Sequence, residues 1–472
     1  MQRIINQVQP GLEPIEPQFN PIVLRLIDCS LPLLLRLRLF PWLPSGINQI
    51  DVINGETLAK AFHQFQSGKI RLILAFRHVE VDDPLCGLYL LSRSLPKVAK
   101  NAQIPLKNPL HVHFLYDRGM PLWGGSALGW ILSRLGGISL RRGKQPDWQS
   151  LRKARSLLVN GQFPFAVAPE GGTNGHSELI GSLESGVAQL GFWTVEALKK
   201  AKRPDTVLII PVGIQYFYQN APWHRLAKLM SELEVMIGLP VVEMPRGSYE
   251  ELTTQFYQRL LSIGEALLDK FEQFYQKCYP TSEIASDACL EPEDRGKPEL
   301  GQRIECLVDR ALVVAESYFG IKPKGTPEER CRRIEEMAWT RIYRSDLEPR
   351  SSLCALERGL ADWMAQEASL RMVNMRLAES FVAVRGDYVA KKMSFERFAE
   401  TTLLIFDALA RLRGDKLPHR PRLGWRQARL TINQPILINS YWESYQVDRQ
   451  GAKRAIAHVT RDIRKALEGS LI

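Results

Sequence analysis

In the stretch Ala75-Phe-Arg-His-Val-Glu-Val-Asp-Asp-Pro84, His78 is followed five residues later by Asp83, which pairs a neutral base with a carboxylate able to orient it. An imidazole titrates near neutral pH, so it can take a proton from an alcohol while that alcohol attacks an acyl carbon. A neighbouring carboxylate fixes the ring tautomer and stabilises the imidazolium that forms. The same spacing admits a second role for Asp83, as the cap of a helix that has proline at its first position. The two roles are compatible, because the exposed N–H groups and dipole of a helix N-terminus keep a carboxylate ionised.

Three further blocks follow, each where an apolar run gives way to a loop: Gly137-Ile-Ser-Leu-Arg-Arg142, Ala168-Pro-Glu-Gly-Gly-Thr-Asn174 and Val207-Leu-Ile-Ile-Pro-Val-Gly213. In this order, after His78 and Asp83, they resemble the four signature blocks of the glycerolipid acyltransferase family, whose best-known members are the lysophosphatidic acid acyltransferases. That family shows a histidine and an aspartate separated by four residues, a glycine and apolar strand closed by arginine, a block that usually reads Phe-Pro-Glu-Gly-Thr-Arg, and a buried strand ending in proline. The resemblance spans residues 70–245. It implies that His78 is the general base and Asp83 its orienting partner. It further implies that Glu170, Gly171, Gly172 and Thr173 shape an acceptor site and that Arg142 anchors an anionic headgroup. The implied reaction moves a fatty acyl group from acyl-carrier protein or coenzyme A to the hydroxyl of a lysophospholipid, 1-acylglycerol-3-phosphate first among them. No metal and no bound cofactor is implied, since the thioester is a co-substrate.

The chain departs from the family in the third block. An extra glycine precedes Thr173, and Asn174 or Gly175 stands where the family has arginine. Arginine grips phosphate with a planar, permanently charged fork, so its loss opens the alternative of another lysolipid or a non-phosphate alcohol as acceptor. A non-catalytic membrane-associated scaffold is a separate alternative, against which the intact His78 and Asp83 argue. Arg142, with Arg141 and Lys144, remains a candidate anion anchor, and the Gly171-Gly172-Thr173 backbone can add N–H donors. The wider basic group of Arg134, Lys153 and Arg155 also reads as a solvated face. His176, Ser177 and Glu178 read as loop and cap residues.

These residues need a frame to position them. Apolar runs at 70–77, 110–115, 137–140, 163–168, 206–214 and 233–238 alternate with helix-length segments, which predicts an α/β fold: a mostly parallel sheet covered by helices, with an additional α-helical region. The motif blocks fall at strand ends, where open α/β sheets bind ligands. Residues 121–132 read as a core helix or the lining of an acyl channel. Residues 248–277 read as a long helix, 280–299 as a polar linker and 300–413 as successive helices. The segments 234–242 and 429–437 are both candidates for a closing strand. The expected organisation is an amphipathic membrane-associating segment over 1–45, a catalytic domain over 46–245, a helical accessory region over 246–425, and a strand-helix tail over 426–472 that returns to the catalytic sheet.

Composition bounds the partners. With 472 residues and 45% apolar content the chain supports more than one core, and its net charge of +11 calls for an anionic partner. No zinc-finger or RNA-recognition spacing is visible, so membrane lipid is expected and nucleic acid is not. Seven scattered cysteines without a Cys-x-x-Cys pair suit free thiols and argue against a metal site. Residues 22–42 are leucine-rich but interrupted by Arg25, Asp28, Arg36 and Arg38, which suits a segment lying in the headgroup region better than a span. The expected location is peripheral, at the cytoplasmic face of a membrane.

Overall fold

The computed structural model describes residues 7–40, 43–141, 147–280, 299–347, 353–383, 387–415 and 419–472. They form two compact units: one comprises Pro14–Arg141, Asp147–Ala221 and Gly424–Ile472, the other chiefly Pro222–Leu423.

The first unit is built on a sheet of strands β1 (Ile47–Ile53), β2 (Ile70–Phe76), β3 (His113–Asp117), β4 (Gly137–Leu140), β5 (Phe165–Val167), β6 (Thr206–Tyr218), β7 (Arg426–Ile432) and β8 (Ile436–Leu437). Their order is β1-β7-β6-β2-β5-β3-β4, with β8 also on β6. The pairings from β6 through β2, β5 and β3 to β4 are parallel, and β7 runs antiparallel to β6. Strand β2 is buried along almost its whole length, as an unbroken Ile-Arg-Leu-Ile-Leu-Ala-Phe run demands of a strand covered on both faces. One side packs Leu58 and Phe62 of the helix Gly55–Gln66 and Leu95 against Leu72 and Leu74. On the other, Leu190 and Val195 of the helix Gly186–Lys200, with Val459 and Ile463 of the helix Arg449–Glu468, close over Ile73 and Ile209.

The chain therefore leaves this sheet after β6 and re-enters it at residue 426. Strands β7 and β8 lie end to end along β6, with a break at Asn433, whose backbone N–H donates to the Pro211 carbonyl at 3.0 Å. That break accommodates a proline inside a central strand. The Pro211 nitrogen faces the same side as its carbonyl and so meets the gap in the ladder, where no donor is needed. Strand β1, Ile-Asn-Gln-Ile-Asp-Val-Ile, lies at the sheet edge. It has no place among the continuous apolar runs because its polar residues alternate with apolar ones.

The amino-terminal leucine-rich stretch forms one helix, Pro21–Arg36, capped by the Asn20 side chain. Val23, Leu24, Leu31 and Leu35 are buried, whereas Ile22, Leu26 and Leu33 on its other side are 69%, 64% and 50% exposed. Among the described residues no helix is long and apolar enough to cross a membrane. Residues 121–132 are divided between two short helices, Met120–Gly124 and Ser126–Arg134, at Gly125, whose φ of 87° favours glycine. Leu122 and Trp130 there are about half exposed, so this is not a plain core helix.

A pair of buried histidines closes the β3 side of the sheet. His111 sets Nε2 2.7 Å from the Leu135 carbonyl and packs against the rings of Phe19 and Phe163, which also touch each other. Burial lowers its pKa to about 4. An unfolded histidine binds its proton near pH 6.5 and the folded one only near pH 4. Stability is thus fully present above pH 6.5 and falls as the pH drops through that window. The loss expected by pH 4 is roughly 3 kcal/mol. His111→Gln, which keeps a donor for Leu135, is expected to flatten this slope; urea unfolding midpoints at pH 7 and 4.5 for both proteins check it.

The second unit is helical, with Trp223–Ile237, Tyr249–Cys278, Leu300–Phe319, Pro327–Ile342, Ala355–Ala383 and Phe395–Leu412 as its longer helices. Capping boxes at Ser248 with Glu251 and at Thr326 with Glu329 start two of them. Residues 233–238, read above as a strand, belong instead to the helix Trp223–Ile237. Its buried Leu226, Met230, Leu233 and Ile237 recur at helical spacing, and Gly238 ends it in the left-handed conformation. Buried Glu234 accepts two hydrogen bonds from Arg259, at 2.5 and 2.8 Å. Of the linker read over 280–299, residues 281–298 lie outside the described residues.

Candidate active site

His78 stands two residues beyond the end of β2, at the carboxyl end of the parallel strands. The chain turns there because Asp83 draws it back. The Asp83 Oδ2 accepts from the backbone N–H of Val79 at 2.5 Å and of Glu80 at 2.9 Å, and lies 3.0 Å from the His78 Nδ1. Two backbone N–H groups already converge on this oxygen, so it faces the His78 ring as an acceptor. The Nδ1–H tautomer of the neutral ring follows, with the lone pair on Nε2. The His78 side chain is 29% exposed and that of Asp83 1%, so the base is open to a substrate while its partner is sealed from water. Asp83 does not cap the helix that follows. Asp82 holds the cap position, and Asp83 is the first residue of Asp83–Tyr89 with Pro84 next.

The loop after β5 carries the third block and is held from beneath by Arg77. This wholly buried guanidinium donates to the carbonyls of Ser177 at 2.5 Å, His176 at 2.7 Å, Leu179 at 2.6 Å and Ile214 at 3.1 Å, with Nε 3.8 Å from the Glu170 carboxylate. Glu170 Oε1 accepts the Gly181 N–H at 2.8 Å and an Asn174 amide N–H at 3.3 Å. Burial raises the Glu170 pKa, the Arg77 cation opposes that rise, and both His78 and Asp83 are near enough to act on it. The dyad and Glu170 therefore occupy one neighbourhood. Gly171 turns the loop at φ 71°, and a side chain there would run into Glu184. Gly172 is half-buried and Thr173 exposed. The Gly175 N–H donates to the Val79 carbonyl at 3.1 Å, which ties this loop to the His78 turn.

Other expected residues fall differently. Arg142 and Lys144, the expected anion anchor and its neighbour, lie outside the described residues. Arg134 stacks on Trp130 and Arg155 reaches Glu196 at 3.4 Å, as members of a surface charge array do. His176 and Ser177 are buried structural residues: the His176 N–H donates to the Asn174 side chain and the Ser177 hydroxyl accepts the Tyr216 N–H.

Three residues at the site carry no motif. The Tyr216 hydroxyl from β6 donates to the Asp83 Oδ1 in a short hydrogen bond. Arg426 from β7 pairs with Asp82, and Arg77 holds the loop. Only Arg77 left a trace in the sequence, as a lone charge closing the run Leu72-Ile-Leu-Ala-Phe76. No family model matches this chain, and neither a curated protein sequence nor a solved structure is significantly similar to it.

Proposed function

We propose that this protein is an O-acyltransferase that moves a fatty acyl group from an acyl-carrier-protein or coenzyme A thioester to a hydroxyl of a lysolipid acceptor. The observation that carries the reading is the His78–Asp83 pair, an accessible imidazole whose Nδ1 faces a sealed carboxylate at 3.0 Å. In this reading His78 Nε2 takes the acceptor's hydroxyl proton as the oxygen attacks the thioester carbonyl. The tetrahedral intermediate then breaks its C–S bond, and the imidazolium returns the proton to the leaving thiolate, giving an ester and a free thiol. No acyl-enzyme is needed. The amphipathic helix Pro21–Arg36, with Ile22, Leu26 and Leu33 outward beside Arg25, suits a peripheral position on a membrane where such acceptors reside.

The acceptor is less well supported as a phosphate. Asn174, which with Gly175 is one of the two residues that stand where the family has arginine, turns inward and donates to the Leu179 carbonyl at 2.8 Å as well as to Glu170. The third block therefore offers an acceptor no cation of its own, which favours a lysolipid or alcohol without a phosphomonoester as the second reading. The test is transfer from labelled acyl-carrier protein and acyl-coenzyme A to lysophosphatidic acid, other lysolipids and neutral alcohols. Transfer to any acceptor sustains the reading and the preferred one decides between headgroups; no transfer to any of them ends it.

A further inference from the structure

We propose that Tyr216, braced by Arg426, is the positioning residue that holds Asp83 in the orientation the His78 base needs, so that the strand Arg426–Ile432 completes the site. This deepens the acyl-transfer reading and rests on it for the role of His78. Asp83 has two oxygens with separate duties. Oδ2 serves His78 and the backbone of the turn, and Oδ1 is held by the Tyr216 hydroxyl. Both residues are buried, Asp83 to 1% exposure and Tyr216 to 4%, so no water competes for that oxygen. Burial and the Asp83 charge push the Tyr216 pKa well above its usual value, which keeps the hydroxyl protonated and donating.

Arg426 supplies the second layer. Its guanidinium carbon lies 4.9 Å from the centre of the Tyr216 ring. One arm donates to the Asp82 carboxylate and to the Ser45 carbonyl at 3.1 Å, and the other is 4.0 Å from Glu80. Asp82, itself fully buried, also accepts the Ser45 N–H at 3.1 Å. The groups around Asp83 thus include the His78 imidazole, the Asp82, Glu80 and Glu170 carboxylates, the Cys86 thiol, the Tyr216 phenol and the Arg426 guanidinium. The Cys86 Sγ is 3.7 Å from the Tyr216 oxygen. Without the cation from β7, the fully buried Asp82 beside Asp83 would lose its guanidinium partner. Strand register delivers that cation: Arg426 is opposite Tyr218 on β6 and Ile47 on β1, and its backbone N–H donates to the Gly46 carbonyl at 2.8 Å.

Tyr216→Phe removes only the hydroxyl. The expected result is a kcat about 10- to 100-fold lower at little-changed KM, with unchanged circular dichroism, the size usual for a proton transfer whose geometry is impaired. Nitrogen NMR of labelled histidine, with the His78 signals identified by their absence in His78→Gln, reads the tautomer directly at a pH where the ring is neutral. The wild type is expected to show the Nδ1–H form and Tyr216→Phe a mixture with the Nε2–H form. Arg426→Lys keeps a charge but loses the fork, and is expected to move both readouts part of the way. If Tyr216→Phe does not fold, Arg426→Lys and Arg426→Gln supply the same two readouts. Wild-type kcat and tautomer in the folded variants would overturn the inference, as would a fall in kcat with the tautomer unmoved. A wild type that transfers no acyl group while its His78 tautomer still depends on Tyr216 would keep this inference and sink the acyltransferase reading.

Discussion

His78→Ala is expected to lower acyl transfer by about 10³- to 10⁴-fold, at the upper end of what general-base removal costs, because His78 is the partly exposed base of the site while Asp82, Asp83, Glu170 and His176 around it are buried. Glu170, another carboxylate nearby, has its Oε1 committed to the Gly181 N–H and the Asn174 amide and is buried behind the loop. Asp83→Asn separates the two duties of the aspartate. Its amide oxygen has one favourable place, where the N–H groups of Val79 and Glu80 already converge, and its NH₂ then faces the Tyr216 hydroxyl, which can accept. The His78 tautomer is thereby retained and only the negative charge is lost. The expected fall is therefore smaller, about 10²-fold, and is confined to kcat because the imidazolium loses its counter-charge. Turnover of labelled thioester by the two variants and wild type checks both numbers. His78→Ala within threefold of wild type would remove this histidine from the chemistry.

How far the sequence carries such an argument depends on the distance between partners. The His78–Asp83 pair was legible because one turn of chain brings both ends together, β2 and β6 because strands covered on both faces read as near-continuous apolar runs, and the shorter β3, β4 and β5 as apolar stretches between helix-length segments. The helix Trp223–Ile237 was misread over 233–238 because a short apolar run does not distinguish a buried strand from the inner face of a helix. The spacing of Leu226, Met230, Leu233 and Ile237 held the answer over a longer window. Tyr216 and Arg426 were beyond reach for a different reason. Tyr216 meets Asp83 across 133 residues and Arg426 meets Asp82 across 344, so both contacts exist only once strand register is set. A tyrosine in a strand and an arginine at a strand start carry no local mark of that duty.

Arg77 sits between these cases, and its loss is expected to have the largest effect on stability of any single change near the site. Arg77→Met should cost about 3–5 kcal/mol, the range for stripping a buried charge network of one member. The guanidinium is 0% exposed and its two terminal nitrogens each donate to two carbonyls, so methionine would leave the buried His176 and Ser177 oxygens and the part-buried Leu179 oxygen without this donor. Glu170 would lose the cation that opposes the burial-driven rise in its pKa, which favours the protonated carboxyl and slackens its hold on Gly181. Arg77→Lys is no remedy. A lysine presents three donors from one point, whereas the four carbonyls are spread around a plane that only the arginine fork spans. Both variants should therefore unfold at lower urea than wild type, Arg77→Met the earlier. Acyl transfer should fall with them, because the loop from Glu170 to Asn174 and the turn at His78 share this anchor. An Arg77→Met protein with the wild-type midpoint would mean that the loop holds its shape through Glu170 and Asn174 alone.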